Sequence, residues 1–210
     1  MILLEFLKII KLFNRLEFLN FMNYSNIKFN DIANGEGVRT SLFVSGCTHH
    51  CKNCFNKETW DFNYGKIFDE NVQNKIIESL KPDYINGLTL LGGEPMEPAN
   101  QKGLIDFVKK IKATYPNKTI WCYSGYTWEQ LTAPSRAFCP WTRELLNQID
   151  ILVDGEFVEE KKDITLRFKG SSNQRIIDVQ KSLKTNQIVL SPFNEKRLKT
   201  FKTKDNQIAI

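Results

Sequence analysis

Two hydrophobic patterns take turns along this chain. Thr40 to Ser45 (TSLFVS), Gly87 to Leu91 (GLTLL), Lys118 to Ser124 (KTIWCYS) and Ile149 to Val153 are short apolar runs rich in β-branched and aromatic residues, and each predicts a buried strand. Between them lie longer stretches that are apolar on one helical stripe. Asp69 to Leu80 places Val72, Ile76, Ile77 and Leu80 on one face, with Pro82 just past its end. Pro98 to Ala113 does the same with Leu104, Phe107, Val108 and Ile111, and Trp141 to Gln148 predicts a shorter third helix. Thr165 to Phe168 and Ile176 to Val179 read as two late strands.

Strands alternating with helices predict parallel βα units. The four main strands stop at Gly46, Gly92-Gly93, Gly125 and Asp154-Gly155. Small and polar residues therefore gather at strand C-termini, the edge where such folds place ligands. A complete barrel of eight βα units needs roughly 250 residues, more than the 210 present. The expected fold is α/β, an open partial (β/α) barrel of parallel strands.

No repeat, low-complexity segment or Pro/Gly/Ser linker divides the chain, so residues 23–183 are expected to form one domain, flanked by extensions at 1–22 and 184–210. Residues 1–22 are apolar, but Glu5, Lys8, Lys11, Asn14 and Arg15 break any membrane-crossing run. No small-residue cleavage site follows, so a secretory signal is not expected. Their spacing gives an amphipathic helix that would dock on the protein itself, on a partner or on a membrane surface, or that extends a protein beginning at Met22.

Composition is that of an ordinary globular chain, 41% hydrophobic and 25% charged, which excludes disorder and a polytopic membrane protein for the bulk of it. A net charge of +5 is too mild to indicate nucleic acid. Its excess sits in residues 159–205, with 12 Lys or Arg against 6 Asp or Glu, a solvated face or a surface for an acidic partner.

Five cysteines change the picture. An odd number in a chain of this size makes a poor disulfide framework and implies reduced thiols in the cytoplasm. Three of them, in Cys47-Thr-His-His-Cys51-Lys-Asn-Cys54, follow a predicted strand directly, so one loop can wrap a metal with three thiolates. Zinc would complete a Cys3His tetrahedron with His49 or His50, but the spacing lacks paired C-x2-C arms. A 4Fe-4S cube normally takes four Cys, so three protein ligands leave one iron open. Otherwise His49 and His50 read as loop surface, Cys122 as a buried small hydrophobe, Cys139 as without a role, and Trp121, Trp128 and Trp141 as core or partner contacts.

At these residues the chain resembles the radical S-adenosylmethionine (SAM) superfamily, through C-x3-C-x2-C followed by the aromatic Phe55 and through Gly92-Gly93-Glu94-Pro95 at the next strand end. Within it the chain is most similar to the glycyl-radical-enzyme activases that act on anaerobic ribonucleoside-triphosphate reductases. Asn34-Gly35-Glu36-Gly37-Val38-Arg39, Phe55 to Trp60, Val153 to Phe157 and Gly170 to Arg175 carry that likeness over about residues 23–180. Glu36 departs from it, since the family commonly has Pro there.

The resemblance implies a radical SAM type fold with a 4Fe-4S cluster on Cys47, Cys51 and Cys54. SAM would lie against Asn53, Cys54, Phe55, Gly92, Gly93 and Glu94, with Glu94 accepting its ammonium group. Ser124 and Asp154, at neighbouring strand ends, would hydrogen-bond ribose or substrate, unless they cap turns. The implied activity is reductive cleavage of SAM to methionine and a 5′-deoxyadenosyl radical, which sets a glycyl radical on the large catalytic subunit of the reductase. Flavodoxin or ferredoxin would supply the electron. Activation of another glycyl-radical enzyme, such as pyruvate formate-lyase, and a zinc-stabilised nucleic-acid-binding module are the alternatives.

Overall fold

The computed structural model describes residues 22–195, 200–202 and 207–209. The helix expected in the first 22 residues lies outside the described residues except for Met22. That side chain is buried in the core, and its carbonyl accepts from Phe68 N at 2.8 Å.

A seven-stranded open sheet organises the chain: β1 (Asn23–Asp31), β2 (Val38–Val44), β3 (Lys66–Ile67), β4 (Ile85–Gly92), β5 (Thr119–Tyr123), β6 (Ile151–Asp154) and β7 (Arg175–Asp178). The spatial order is β3-β1-β2-β4-β5-β6-β7. The four strands read from the apolar runs are β2, β4, β5 and β6, and they pair in parallel. The expectation of parallel strands throughout is corrected at the flanks, where β1, β3 and β7 run antiparallel to their neighbours, so the sheet is mixed. Strand β1 carries no apolar run because, at the flank of the sheet, most of its residues stay half-buried or exposed.

Helices α1 (Glu70–Ser79), α2 (Pro98–Thr114), α3 (Trp128–Thr132), α4 (Thr142–Leu146) and α5 (Val179–Thr185) join the strands. Asp69 starts α1 by accepting from Val72 N at 2.9 Å, and Pro98 occupies the first turn of α2, where a missing N–H costs nothing. Alternation sorts the sheet's side chains between two cores. Leu42, Val44, Leu88, Leu90, Ile120, Cys122, Leu152 and Ile177 belong to the large cluster that includes α2 residues Leu104, Phe107, Val108 and Ile111. Trp121, Val153 and Ile176 belong to a smaller one closed by Phe168 and Phe193.

The strand expected at Thr165 to Phe168 does not form. Asp163 Oδ1 accepts from Thr165 N and Oγ1 at 2.9 and 2.7 Å, winding a turn whose apolar residues Leu166 and Phe168 are buried. Past α5, the chain comes back to the sheet: Val189 O accepts from Asp178 N, Ser191 N donates to Ile176 O, and Asn194 Oδ1 accepts from Ile176 N. Strands β8 (Thr200–Lys202) and β9 (Gln207–Ala209) form a separate antiparallel pair. Among the described residues no helix is long and apolar enough to cross a membrane.

One charged residue anchors the interior. Arg39 of β2 is 1% exposed and lies 5.5 Å from the Trp121 ring. Its guanidinium donates to Thr89 Oγ1 (2.7 Å), Leu88 O (2.7 Å), Thr119 O (2.8 Å), Thr119 Oγ1 (3.0 Å) and Glu36 O (3.2 Å). Burial lowers its pKa to about 10, so it remains a cation at neutral pH. The fork thus ties β2, β4, β5 and the turn before β2 at one point. Lysine keeps the charge but cannot make the fork. Arg39→Lys is expected to destabilise the metal-free protein by at least about 2 kcal/mol in urea unfolding. A midpoint and slope like wild type would contradict the anchoring role.

Candidate functional site

Strands β2 and β4 bring the two sequence motifs together because their parallel pairing continues past their ends. Gly93 N donates to Val44 O at 2.7 Å and Glu94 N to Gly46 O at 2.8 Å. On its other side the cysteine loop is stitched to the short 3-10 turn Lys57–Trp60: Gly46 N donates to Thr59 O and Cys47 N to Trp60 O. A side chain at Gly93 would collide with this arrangement, since a Cβ there would stand 2.6 Å from Gly46 O and 2.9 Å from Thr59 O. The loop then turns tightly, with His50 and Asn53 at positive φ and Cys54 N donating to Cys51 O at 3.1 Å.

Above these strand ends lies a cavity of about 500 Å³. Cys47, Cys51, Cys54, Asn53, Phe55, Gly92, Gly93, Glu94 and Ser124 all line it, so the structure gathers every expected site residue except Asp154. Asn34, Tyr123, Phe168, Lys169 and Gln174 form the far wall. A second cavity of about 460 Å³ lies at the opposite ends of β4 and β5, between Lys81–Asn86 and Thr114–Lys118, and holds no thiol.

Cys47 is buried and its thiol is pushed up to about 12, chiefly by that burial; burial also raises Cys51. Neither ionises readily alone, and as thiolates they would need a cation beside them. Three thiols from one loop, facing a cavity of this size, suit a group larger than one ion.

Glu94 is 1% exposed. Its Oε1 accepts from Met96 N at 2.8 Å and its Oε2 from Gly125 N at 2.6 Å, so two backbone donors from two strand ends hold the carboxylate. Three residues on, buried Glu97 accepts from Thr48 N, Thr48 Oγ1 and Tyr126 Oη at 3.0, 2.5 and 3.0 Å. Phe55 does not pack into the core; its ring is 88% exposed at the rim of the cavity. Ser124 borders the cavity while its Oγ accepts from Tyr126 N, capping the turn.

Asp154 is not among the cavity walls. It is 1% exposed, and its carboxylate accepts from Arg175 Nε and Nη2 (2.9 and 2.5 Å) and from Trp128 N (2.7 Å). Arg175 also pairs with Glu129, holding that carboxyl down to about 2.

The reading of His49 as loop surface is corrected. Its side chain is 3% exposed, with Nε2 3.1 Å from Glu94 Oε2, Nδ1 2.7 Å from Glu156 Oε1, and the ring against Tyr126 at 4.4 Å. Burial works to lower its pKa, but Glu94 and then Glu156 outweigh burial and raise it. His50 is exposed, as expected, and leans on Trp60 at 4.5 Å between ring centres. His49 stood out in the sequence only as a candidate zinc ligand, and Glu97 and Tyr126, which brace Thr48 and His49 without lining the cavity, carried no signal there. Cys122 is fully buried, and half-buried Cys139 directs its Sγ to Gln101 Oε1 at 3.3 Å.

The family model described as a 4Fe-4S single cluster domain matches residues 33–177. The anaerobic ribonucleoside-triphosphate reductase-activating protein of Pasteurella multocida is 45% identical over 157 residues, covering 74% of this chain and 96% of that protein. The one from Haemophilus influenzae is 43% identical over 157 residues, with 74% and 97% covered. The one from bacteriophage T4 is 36% identical over 155 residues, with 74% and 93% covered. By these matches the chain belongs to the anaerobic ribonucleoside-triphosphate reductase-activating proteins and carries a 4Fe-4S single cluster domain.

Proposed function

We propose that this chain activates an anaerobic ribonucleoside-triphosphate reductase by generating a glycyl radical on its large catalytic subunit, with SAM as the reagent and a 4Fe-4S cluster held by Cys47, Cys51 and Cys54. The observation that carries the reading is the convergence of these thiols and the Glu94 carboxylate on one cavity at the ends of β2 and β4, in a chain so similar to the activating proteins. When bound, the cluster supplies one electron to the sulfonium of SAM, whose S–C5′ bond breaks to give methionine and the 5′-deoxyadenosyl radical.

The protein's own residues bind, orient and exclude water. Cys47, Cys51 and Cys54 would hold the cluster and leave it able to take the methionine portion of SAM. Glu94 receives the ammonium as a charge-assisted acceptor already held by Met96 N and Gly125 N. Gly92 and Gly93 let the backbone approach, and Asn53 and Phe55 line the adenosine side of the mouth. Ser124 borders the ribose, whereas Asp154 supports the mouth through Arg175 and Trp128 N. We read the open sheet as the partial barrel of the radical SAM type, whose unclosed side admits a polypeptide loop carrying the target glycine. Flavodoxin or ferredoxin is the proposed electron donor, and a reducing cytoplasm the setting.

Anaerobic reconstitution is expected to load about four irons per chain. A glycyl EPR doublet should then appear on the large reductase subunit only when both proteins, reductant and SAM are present. A colourless zinc protein, or an iron-loaded one that neither cleaves SAM nor produces the doublet, would overturn the reading. Gly93→Ala should push the cysteine loop off the β4 end and weaken cluster retention by about tenfold in chelator competition, the scale seen when the support of metal ligands is disturbed. Undiminished retention would show that the close approach is dispensable.

A further inference from the structure

We infer that His49 is a positioning residue that sets the Glu94 carboxylate in register with the cysteine loop, so that SAM meets its iron and its ammonium acceptor at a fixed separation. The inference rests on the function proposed above and concerns how this chain holds the SAM methionine group.

His49 lies in the cysteine loop but directs its ring away from solvent. Its Nε2 stands 3.1 Å from Glu94 Oε2 and its Nδ1 2.7 Å from Glu156 Oε1, with Arg136 Nη2 at 3.2 Å. Tyr126 covers one face at 4.4 Å. Nδ1 hydrogen-bonds Glu156, whereas Nε2 faces Glu94 Oε2 as an ion-pair contact without hydrogen-bond geometry. The imidazole joins the loop after β2 to Glu94 beyond β4, Tyr126 beyond β5 and Glu156 beyond β6.

The neighbouring strand end is shaped around this ring. A Cβ on Gly125 would come within 2.7 Å of His49 Cδ2 and Nε2, and the three atoms nearest to it all belong to His49. The same Gly125 gives its N–H to Glu94 Oε2 at 2.6 Å. Lacking a side chain, it leaves space for the imidazole and holds the carboxylate that the imidazole contacts. Met96 N and Gly125 N fix Glu94 relative to its own strand and the next one; among the described side chains, His49 adds the contact from the loop that carries the thiols. A ligand gripped at both ends binds better at a fixed separation, because the protein groups that grip it need no further ordering.

Wild type, His49→Ala and His49→Gln are reconstituted anaerobically. Iron content, SAM affinity by equilibrium dialysis, and the EPR spectrum of the reduced cluster before and after SAM are then measured. All three proteins are expected to hold about four irons. His49→Ala should bind SAM about tenfold or more weakly, with a smaller SAM-induced EPR change at equal SAM. His49→Gln places an amide N–H near the Nε2 position and should recover most of the affinity. Wild-type affinity in His49→Ala, cluster loss in His49→Ala, or a Gln variant no better than Ala would each overturn the positioning role. Wild type that holds iron but binds no SAM would instead overturn the proposed function, and the inference with it.

Discussion

The site depends on a pairing that outlasts its strands. Where β2 and β4 end, Gly93 N still bonds Val44 O and Glu94 N still bonds Gly46 O. Those two hydrogen bonds carry the ladder into the loops, so Cys47 and Glu94 arrive at the same edge by backbone geometry. Side chains then reinforce it: Asn100 Nδ2 donates to Ser45 O and Glu94 O at 2.9 and 2.8 Å, tying α2 to both loops. A site assembled from parallel strand ends needs only such short extensions, because the strands already fix spacing and direction.

The electrostatics run against folding in isolation and towards binding. Glu94 and Glu97 are buried carboxylates held mainly by N–H and O–H donors, and Cys47 is a buried thiol whose ionisation burial opposes. Buried anions without full compensation are costly. The function proposed above would supply that compensation, with iron beside the thiolates and the SAM ammonium at Glu94. Arg175 marks the contrast, since Asp154 already has its cation and belongs to the support of the mouth.

The central strands were readable because burial on both faces leaves short, mostly apolar runs, and β2, β4, β5 and β6 carry that signature around a few buried polar residues such as Arg39 and Thr89. The cysteine and Gly-Gly-Glu motifs were readable because they sit at the stops of those runs. The flanks were not. Strand β1 keeps polar residues because much of it is exposed, and β7 looks like any short apolar run, with nothing in it to say that it pairs antiparallel with β6. The run at Thr165 to Phe168 misled because its apolar residues anchor a turn instead of a strand. His49 was hidden for a related reason. A histidine between two cysteines looks exposed until Glu94, Tyr126 and Glu156, brought in from other strand ends, enclose it.

Glu36 shows which of two forces stabilises a turn. The resemblance leads one to expect proline at position 36; in its place Glu36 pairs with Arg167 at 3.3 Å across to the turn that carries Phe168. Both partners are about two-fifths exposed, and an ion pair in that setting contributes about 0–1 kcal/mol. Arg39 reaches the same turn from inside, donating to Glu36 O from a guanidinium that is 1% exposed, while Asn34 O accepts from Thr89 Oγ1 at 2.7 Å. Breaking a buried, fully bonded cation costs several times more than breaking a surface pair. The turn is therefore held from the interior, and the proline's contribution is one that this sequence can lose without releasing the wall that Asn34 gives to the cavity.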